Sequence, residues 1–277
     1  MKRILTFILA LTLALTSVIG FSSCTAEKKT DWETIEEKGY FVCGITLYEP
    51  MNYFDADGNL TGFDTEFANA VAAKLGLEAK FQVIKWPNKY LELNNGSIDL
   101  IWNGFTFGNE EGVPRSNYVD FTYSYLENKQ VVVTKTSRLS ELATAESLKG
   151  KTAAVEGGSS GESVAKDFTG SEEKLAKFTA QSNALLEVLA GRADFAVIDY
   201  QMANAMVGTA DYAELAINEA FDLEPEVYAI GCRKGSDLTA KINEAIKALS
   251  EDGTLKALAE KYKLQNDLIP NIGSENK

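Results

Sequence analysis

The chain has 277 residues, 45% of them apolar, enough to bury a sizeable core in one or two domains. It carries 27 Lys and Arg against 40 Asp and Glu, a net charge of −13, and no histidine. The acidic balance argues against a nucleic-acid partner, which needs a basic face. The missing histidine removes Ser-His-Asp triads, His-based acid–base chemistry and most zinc sites. We expect no cofactor and no metal.

The chain opens with "MKRILTFILALTLALTSVIGFSSC". Lys2 and Arg3 form a short positive region, and an uncharged, mostly apolar stretch runs from Ile4 to Phe21. We read 1–23 as a signal peptide. Small residues directly before Cys24 resemble a bacterial lipoprotein signal, with Cys24 as the lipidated first residue. A plain membrane anchor is the other reading, and both put the body outside the cytoplasmic membrane. Residues 24–38 read as a polar tether and the start of a first helix. Cys43 and Cys232 have no C-x-x-C or metal spacing, so they read as small buried residues rather than a disulfide.

From Tyr40 the pattern alternates. "YFVCGITL" is a β-rich run, and Asp57-Gly58 signals a hairpin turn. Phe63, Phe67, Val71 and Leu75 repeat every fourth residue, predicting a helix stopped by Gly76. "AKFQVIKW" and "SIDLIWNGF" read as strands with a short helix, "NKYLELNN", between them. After Phe121 the alternation restarts with "KQVVVTK", then strand, Gly/Ser turn and helix in "GKTAAVEGGSSGESVAKDF". "KFTA", "NALLEVLAG" and "ADFAVIDY" continue it, followed by a helix at 201–207. "EVYAIGCRKG" is a strand leading to helices at 238–250 and 255–262. Two such β/α runs predict an α/β fold with two lobes, each a mainly parallel sheet flanked by helices.

In such sheets ligands sit beyond the carboxyl ends of the strands, where Asn103, Gly157–Gly161 and Asp199 all fall. A small zwitterion held there needs a guanidinium fork and helix-start N–H groups for its carboxylate. Its ammonium needs a carboxylate, and its side chain needs apolar walls. Arg115, the turn "GGSSGE", Asp199, and the aromatics Tyr48 and Trp86 are one of each.

"GFDTEFANAVAAKL" (62–75), "IDLIWNGFT", "VDFTYSY", "GRADFAVID", "AIGCRKG" and "EDGTLKALAEKY" together resemble the bacterial extracellular solute-binding proteins of family 3, which deliver polar amino acids to ABC transporters. The resemblance runs from about Tyr40 to Leu264. It implies a type II periplasmic-binding-protein-like fold, with lobe 1 from 39–128 plus 228–277 and lobe 2 from 129–227. Crossovers near 127–130 and 222–227 would form the hinge. It implies that Tyr48 and Trp86 sandwich the ligand side chain. Asn103, Gly104 and Thr106 would hydrogen-bond its ammonium and carboxylate. Ser160 would give its backbone N–H to the carboxylate, and Asp199 would pair with the ammonium. Arg115 departs from the family spacing: the expected position holds Glu111. A four-residue insertion around "GNEEGV" accounts for this and leaves Arg115 as the carboxylate clamp.

The resemblance implies a monomeric, lipid-anchored binding protein, not an enzyme, that serves an ABC permease. A secreted dehydratase of prephenate- or arogenate-like substrates and a ligand-sensing receptor domain are the alternatives. Relatives that bind lysine or arginine place an aspartate where this chain has Ile45. A neutral polar ligand, glutamine or cystine, is therefore expected ahead of basic and acidic amino acids.

Overall fold

The computed structural model describes residues 29–273. The signal peptide of residues 1–23 and the lipidation site Cys24 lie outside the described residues. Among the described residues no helix is long and apolar enough to cross a membrane.

Helix α1 (Asp31–Lys38) opens on a capping box in which Thr30 and Glu33 each satisfy the other's backbone N–H. Strand β1 (Tyr40–Ile45) follows, then the hairpin of β2 (Tyr53–Phe54) and β3 (Leu60–Thr61). Helix α2 (Phe63–Leu75) matches the fourfold repeat, with Phe63, Phe67 and Val71 fully buried. Gly62, at φ 117°, starts it where a Cβ would overlap the Met51 carbonyl, and Gly76 ends it in the left-handed region. The chain then forms β4 (Glu78–Val83), α3 (Lys89–Asn94), β5 (Leu100–Ile101), β6 (Thr106–Phe107), β7 (Asn109–Glu110), β8 (Val113–Pro114) and β9 (Val119–Phe121). Next come β10 (Leu126–Lys135), α4 (Ala145–Leu148), β11 (Ala153–Glu156), α5 (Ser160–Thr169), β12 (Leu175–Phe178) and α6 (Gln181–Leu189). The last elements are β13 (Phe195–Asp199), α7 (Tyr200–Met206), β14 (Leu215–Ile217), β15 (Pro225–Tyr228), β16 (Gly231–Arg233), α8 (Leu238–Glu251) and α9 (Thr254–Lys261).

These strands form two main sheets. The first runs β4-β1-β5-β16-β9, with β1 parallel to β4 and β5, and β16 antiparallel to β5 and β9. The second runs β12-β11-β13-β10-β15-β6, with β14 paired to β10. Its parallel pairs are β11 with β12 and β13; the pairs made by β10 are antiparallel. Antiparallel strands enter each sheet where the chain crosses from the other.

The run "EVYAIGCRKG" is not one strand. It breaks at Ala229-Ile230 into β15 of the second sheet and β16 of the first. The chain also crosses between β5 and β6, back between β6 and β9, and again between β9 and β10. The strands at the last two crossings, β10 and β15, lie side by side, Leu126 opposite Tyr228 and Asn128 opposite Glu226. Cys43 and Cys232 are both buried and free.

Candidate functional site

A small cavity of about 10 Å³, the room of roughly one water, lies at the carboxyl ends of β5, β11 and β13. It is lined by Trp86, Asn103, Gly104, Thr106, Arg115, Glu156, Ser159, Ser160, Gln181 and Asp199. Seven of the eight expected ligand residues meet there; Tyr48 does not. Two clefts with volumes of about 400 and 680 Å³ are roomier. The small cavity is singled out by convergence of buried charged groups, which room alone does not supply.

The wall from residues 103–106 is tied by hydrogen bonds to the elements around it. Asn103 Oδ1 accepts from Thr46 N–H at 2.9 Å and Thr46 Oγ1 at 2.7 Å. Its Nδ2 donates to Thr46 O at 2.9 Å and Asn52 Oδ1 at 2.7 Å. The Asn103 side chain is thus a brace tying two loops together, and it has no capacity left for a ligand. Gly104 N–H donates to Asp64 at 2.7 Å, and the Tyr125 hydroxyl donates to the same carboxylate at 2.8 Å. Burial pushes Asp64 up to about 7, against those two donors. The signature helix α2 therefore does more than fill the core: through Asp64 it holds the loop that bears the wall. Thr106 Oγ1 donates to Glu226 at 2.9 Å.

The stretch before Arg115 folds as a β-hairpin with a two-residue turn. Asn109 pairs with Pro114 and Glu110 with Val113. Glu111 and Gly112 both take positive φ, 50° and 80°, as a type I′ turn requires. At the base, Arg115 N–H donates to Gly108 O at 2.9 Å. That bond closes the excursion, so the chain re-enters where it left and Arg115 returns to the cavity. Its side chain is 1% exposed. Nη1 donates to Thr106 O at 3.0 Å and Nη2 to Gly158 O at 3.3 Å, and the guanidinium lies 5.1 Å from the Phe105 ring centre.

The hairpin also supplies a group the sequence did not single out. The Glu110 carboxylate lies 2.9 Å from Lys89 Nζ, accepts from the Tyr90 hydroxyl at 2.7 Å and stands 3.5 Å from Arg115 Nε. Lys89 is fully buried and donates to Gly158 O at 2.9 Å. Burial lowers its ammonium to about 8, with Glu110 opposing the shift. At the turn, Glu111 N–H meets Ser163 Oγ at 3.4 Å. Carboxylate oxygens of Glu111, Glu162 and Glu172 come within 4.8 Å of one another. Lys177 pairs with Glu162 and Glu172, and Lys166 with Glu172, so ammonium groups already stand where a cation would.

The facing wall comes from β11, β13 and the helix starts after them. Ser159 is the N-cap of α5, accepting from Glu162 N–H at 3.1 Å, which leaves Ser160 in the first turn with its N–H at the helix's positive end. Asp199 stands at the N-cap position of α7 but makes no capping bond. Instead Asn128, Gln130 and Gln181 donate to its carboxylate, and Asp199 N–H donates to Gln181 Oε1 at 2.9 Å. Burial, then the neighbouring Glu226 carboxylate, raises Asp199 to about 7. Glu156, absent from the expected set, is 2% exposed and lines the same cavity. Burial and Asp199 push it well above the ordinary carboxylate range, while Lys89 and Arg115 oppose the shift.

Trp86 lies in the lining, edge-on to Phe105 with ring centres 5.5 Å apart. Tyr48 sits behind Gly104: its hydroxyl bonds Tyr228 at 3.2 Å, and a Cβ at residue 104 would overlap it. Gly104 is therefore needed for space, and the expected sandwich has one face in this geometry.

Residues 41–265 match the family model of the bacterial extracellular solute-binding proteins, family 3. The chain belongs to that family. This solute-binding protein is similar to an L-cystine-binding protein, TcyJ, of Escherichia coli: 29% identical, covering 82% of this chain and 84% of that one. It is 30% identical to the L-cystine-binding protein TcyA of Bacillus subtilis, over 83% of this chain and 84% of the other. Its fold matches the crystal structure of a mutant ArgBP from T. maritima with a TM-score of 0.75 at 32% identity, covering 83% of this chain and 98% of that one.

Proposed function

We propose that this solute-binding protein captures a polar amino acid between Arg115 and Asp199 and delivers it to an ABC permease. One observation carries the reading: a buried guanidinium, a helix start and a buried carboxylate meet in one cavity. A zwitterion buried there finds an opposite charge for each of its ends, which offsets the cost of taking both out of water. A guanidinium has five N–H groups; with Nη1 and Nη2 each making one bond, two Nη–H groups remain for a carboxylate. Ser160 N–H adds a third donor. Asp199 takes the ammonium, while Trp86 walls the side chain and Tyr48 backs Gly104. Asn103 and Gly104 offer their carbonyls, since the Asn103 side chain and the Gly104 N–H are engaged.

Room for about one water means that entry requires opening. Residues 39–128 with 228–277 form one lobe and 129–227 the other, hinged where β10 and β15 run side by side. The body acts as a monomer outside the cytoplasmic membrane, held by lipid on Cys24. A neutral polar ligand, cystine or glutamine, fits Ile45 and the Trp86 wall, and two relatives are named for L-cystine.

The test is to purify the mature chain under native conditions, denature it and identify the released small molecule by mass spectrometry. A polar amino acid at close to one per chain is expected, with no turnover of prephenate. Steady conversion of prephenate would replace the binding reading with an enzyme. Cys24→Ser should move the protein from the membrane fraction to the soluble one.

A further inference from the structure

Glu156 is the polar group that the amino-acid reading leaves unused. It ends β11, is 2% exposed and lines the cavity. The Gln181 backbone N–H opposes the rise of its carboxyl. Among the described residues nothing hydrogen-bonds to Glu156 Oε1. Two nearby acids differ, Asp199 in the lining and Glu226 next to it. Asp199 takes side-chain amides from Asn128, Gln130 and Gln181. Glu226 takes Thr106 Oγ1 and the amides of Asn128 and Gln130. Their hydrogen-bonding demand is met by the protein; that of Glu156 is not, and an unmet buried acceptor calls for a donor from outside.

Charge points the same way. Two carboxylates, Glu156 and Asp199, line the cavity with one guanidinium, Arg115, while Lys89 is paired with Glu110. The single ammonium of a simple amino acid, placed at Asp199, leaves Glu156 without a cation. A second ammonium or guanidinium on the ligand can reach it.

We propose that Glu156 is the subsite for a second cationic group, so the protein selects amino acids that carry one beyond the α-ammonium. Cystine, lysine and arginine belong to this class; glutamine and methionine do not. The inference rests on the amino-acid reading and sharpens it. It takes the place of the aspartate that Ile45 denies, from the opposite wall. Of the two neutral ligands expected from the sequence, it keeps cystine, whose second amino acid half brings a second ammonium.

The test is calorimetric titration of the wild type, Glu156→Gln and Glu156→Asp with cystine, lysine, arginine, glutamine and methionine. The wild type should bind a member of the first three most tightly. Glu156→Gln should weaken that ligand by about tenfold or more, the scale of a lost charged contact. It should shift glutamine and methionine by less than about threefold, and Glu156→Asp should lie between. If the wild type binds glutamine or methionine most tightly, or Glu156→Gln weakens all five ligands equally, the subsite is wrong while the amino-acid reading survives. If the wild type binds no amino acid, both fall. Wild-type selectivity is decisive even if Glu156→Gln does not fold.

Discussion

The two walls of the cavity are built on opposite plans. The wall of residues 103–106 satisfies its own polar groups: Asn103 holds Thr46 and Asn52, and Asp64 holds Gly104. The facing wall, Glu156 and Asp199 with Glu226 behind it, gathers carboxylates and, among the described residues, leaves Glu156 Oε1 without a hydrogen-bond partner. The first is a mould, held by the fully used Asn103 side chain and the engaged Gly104 N–H. The second is a set of buried carboxylates whose ionisation burial opposes. Shape is thus set on one side and charge on the other. Arg115, brought back by the hairpin, is the positive group between them.

That contrast can be broken most severely at the charges. Arg115→Ala should cost roughly 2–5 kcal/mol of amino-acid binding, the scale for truncating one member of a buried charge pair, and Asp199→Ala a similar amount. Calorimetric titration with the tightest ligand measures both, with circular dichroism as the check on folding. Unchanged affinity in Arg115→Ala would move the carboxylate clamp to another cation.

The hairpin offers a finer cut. Glu110→Ala removes the acceptor shared by Lys89 and Tyr90 and the anion beside Arg115. Denaturant unfolding should show a loss of about 1–3 kcal/mol, because buried donors are left unmet. Glu111→Ala, one residue along on the exposed turn, should stay within about 0.5 kcal/mol. Equal effects would mean that the hairpin acts only as a spacer.

The acidic wall also predicts a proton. Asp199 rises from 3.8 to about 7 in the fold, so between those values the ligand-free folded chain holds a proton that the unfolded chain has lost. Its stability contribution is therefore present at low pH and fades as pH rises towards 7. A bound ammonium favours the ionised form, so binding should release protons near pH 6 and tighten as pH rises through 7. The groups facing Asp199 are Glu226, Glu156, Tyr48 and Tyr228, and burial keeps both phenols neutral across this range. Calorimetry in two buffers of different ionisation enthalpy at pH 6 reads the release, which should shrink in Asp199→Asn.

Much of this was legible in the sequence, for physical reasons that differ by element. The repeat Phe63, Phe67, Val71 reads as a helix because one apolar face at helical spacing has no other use. Asp199 and Ser160 were legible because strand ends and a Gly/Ser helix start occupy known places in such sheets. The two-residue strand β6 and the break at Ala229-Ile230 were not, because their pairing depends on partners more than 100 residues away. Glu156 was missed as one acid before a Gly-Gly turn, which reads as a solvated strand end. The available signal was its alternation with Ala154, which places both on one face of a strand whose four residues are all buried. Glu110 was hidden inside the insertion, since only the folded hairpin brings it to Lys89.

The central claim is that an amino acid binds the folded chain at this cavity, and a thermal-shift screen of the mature protein against the twenty amino acids and cystine tests it most directly. A ligand at about one hundred times its Kd adds about 2.7 kcal/mol by mass action. For a chain of this size that predicts a rise of roughly 5–10 °C for at least one polar amino acid, cut to about a third or less in Arg115→Ala. No shift with any of them at millimolar concentration, or the same shift in Arg115→Ala, would contradict the account.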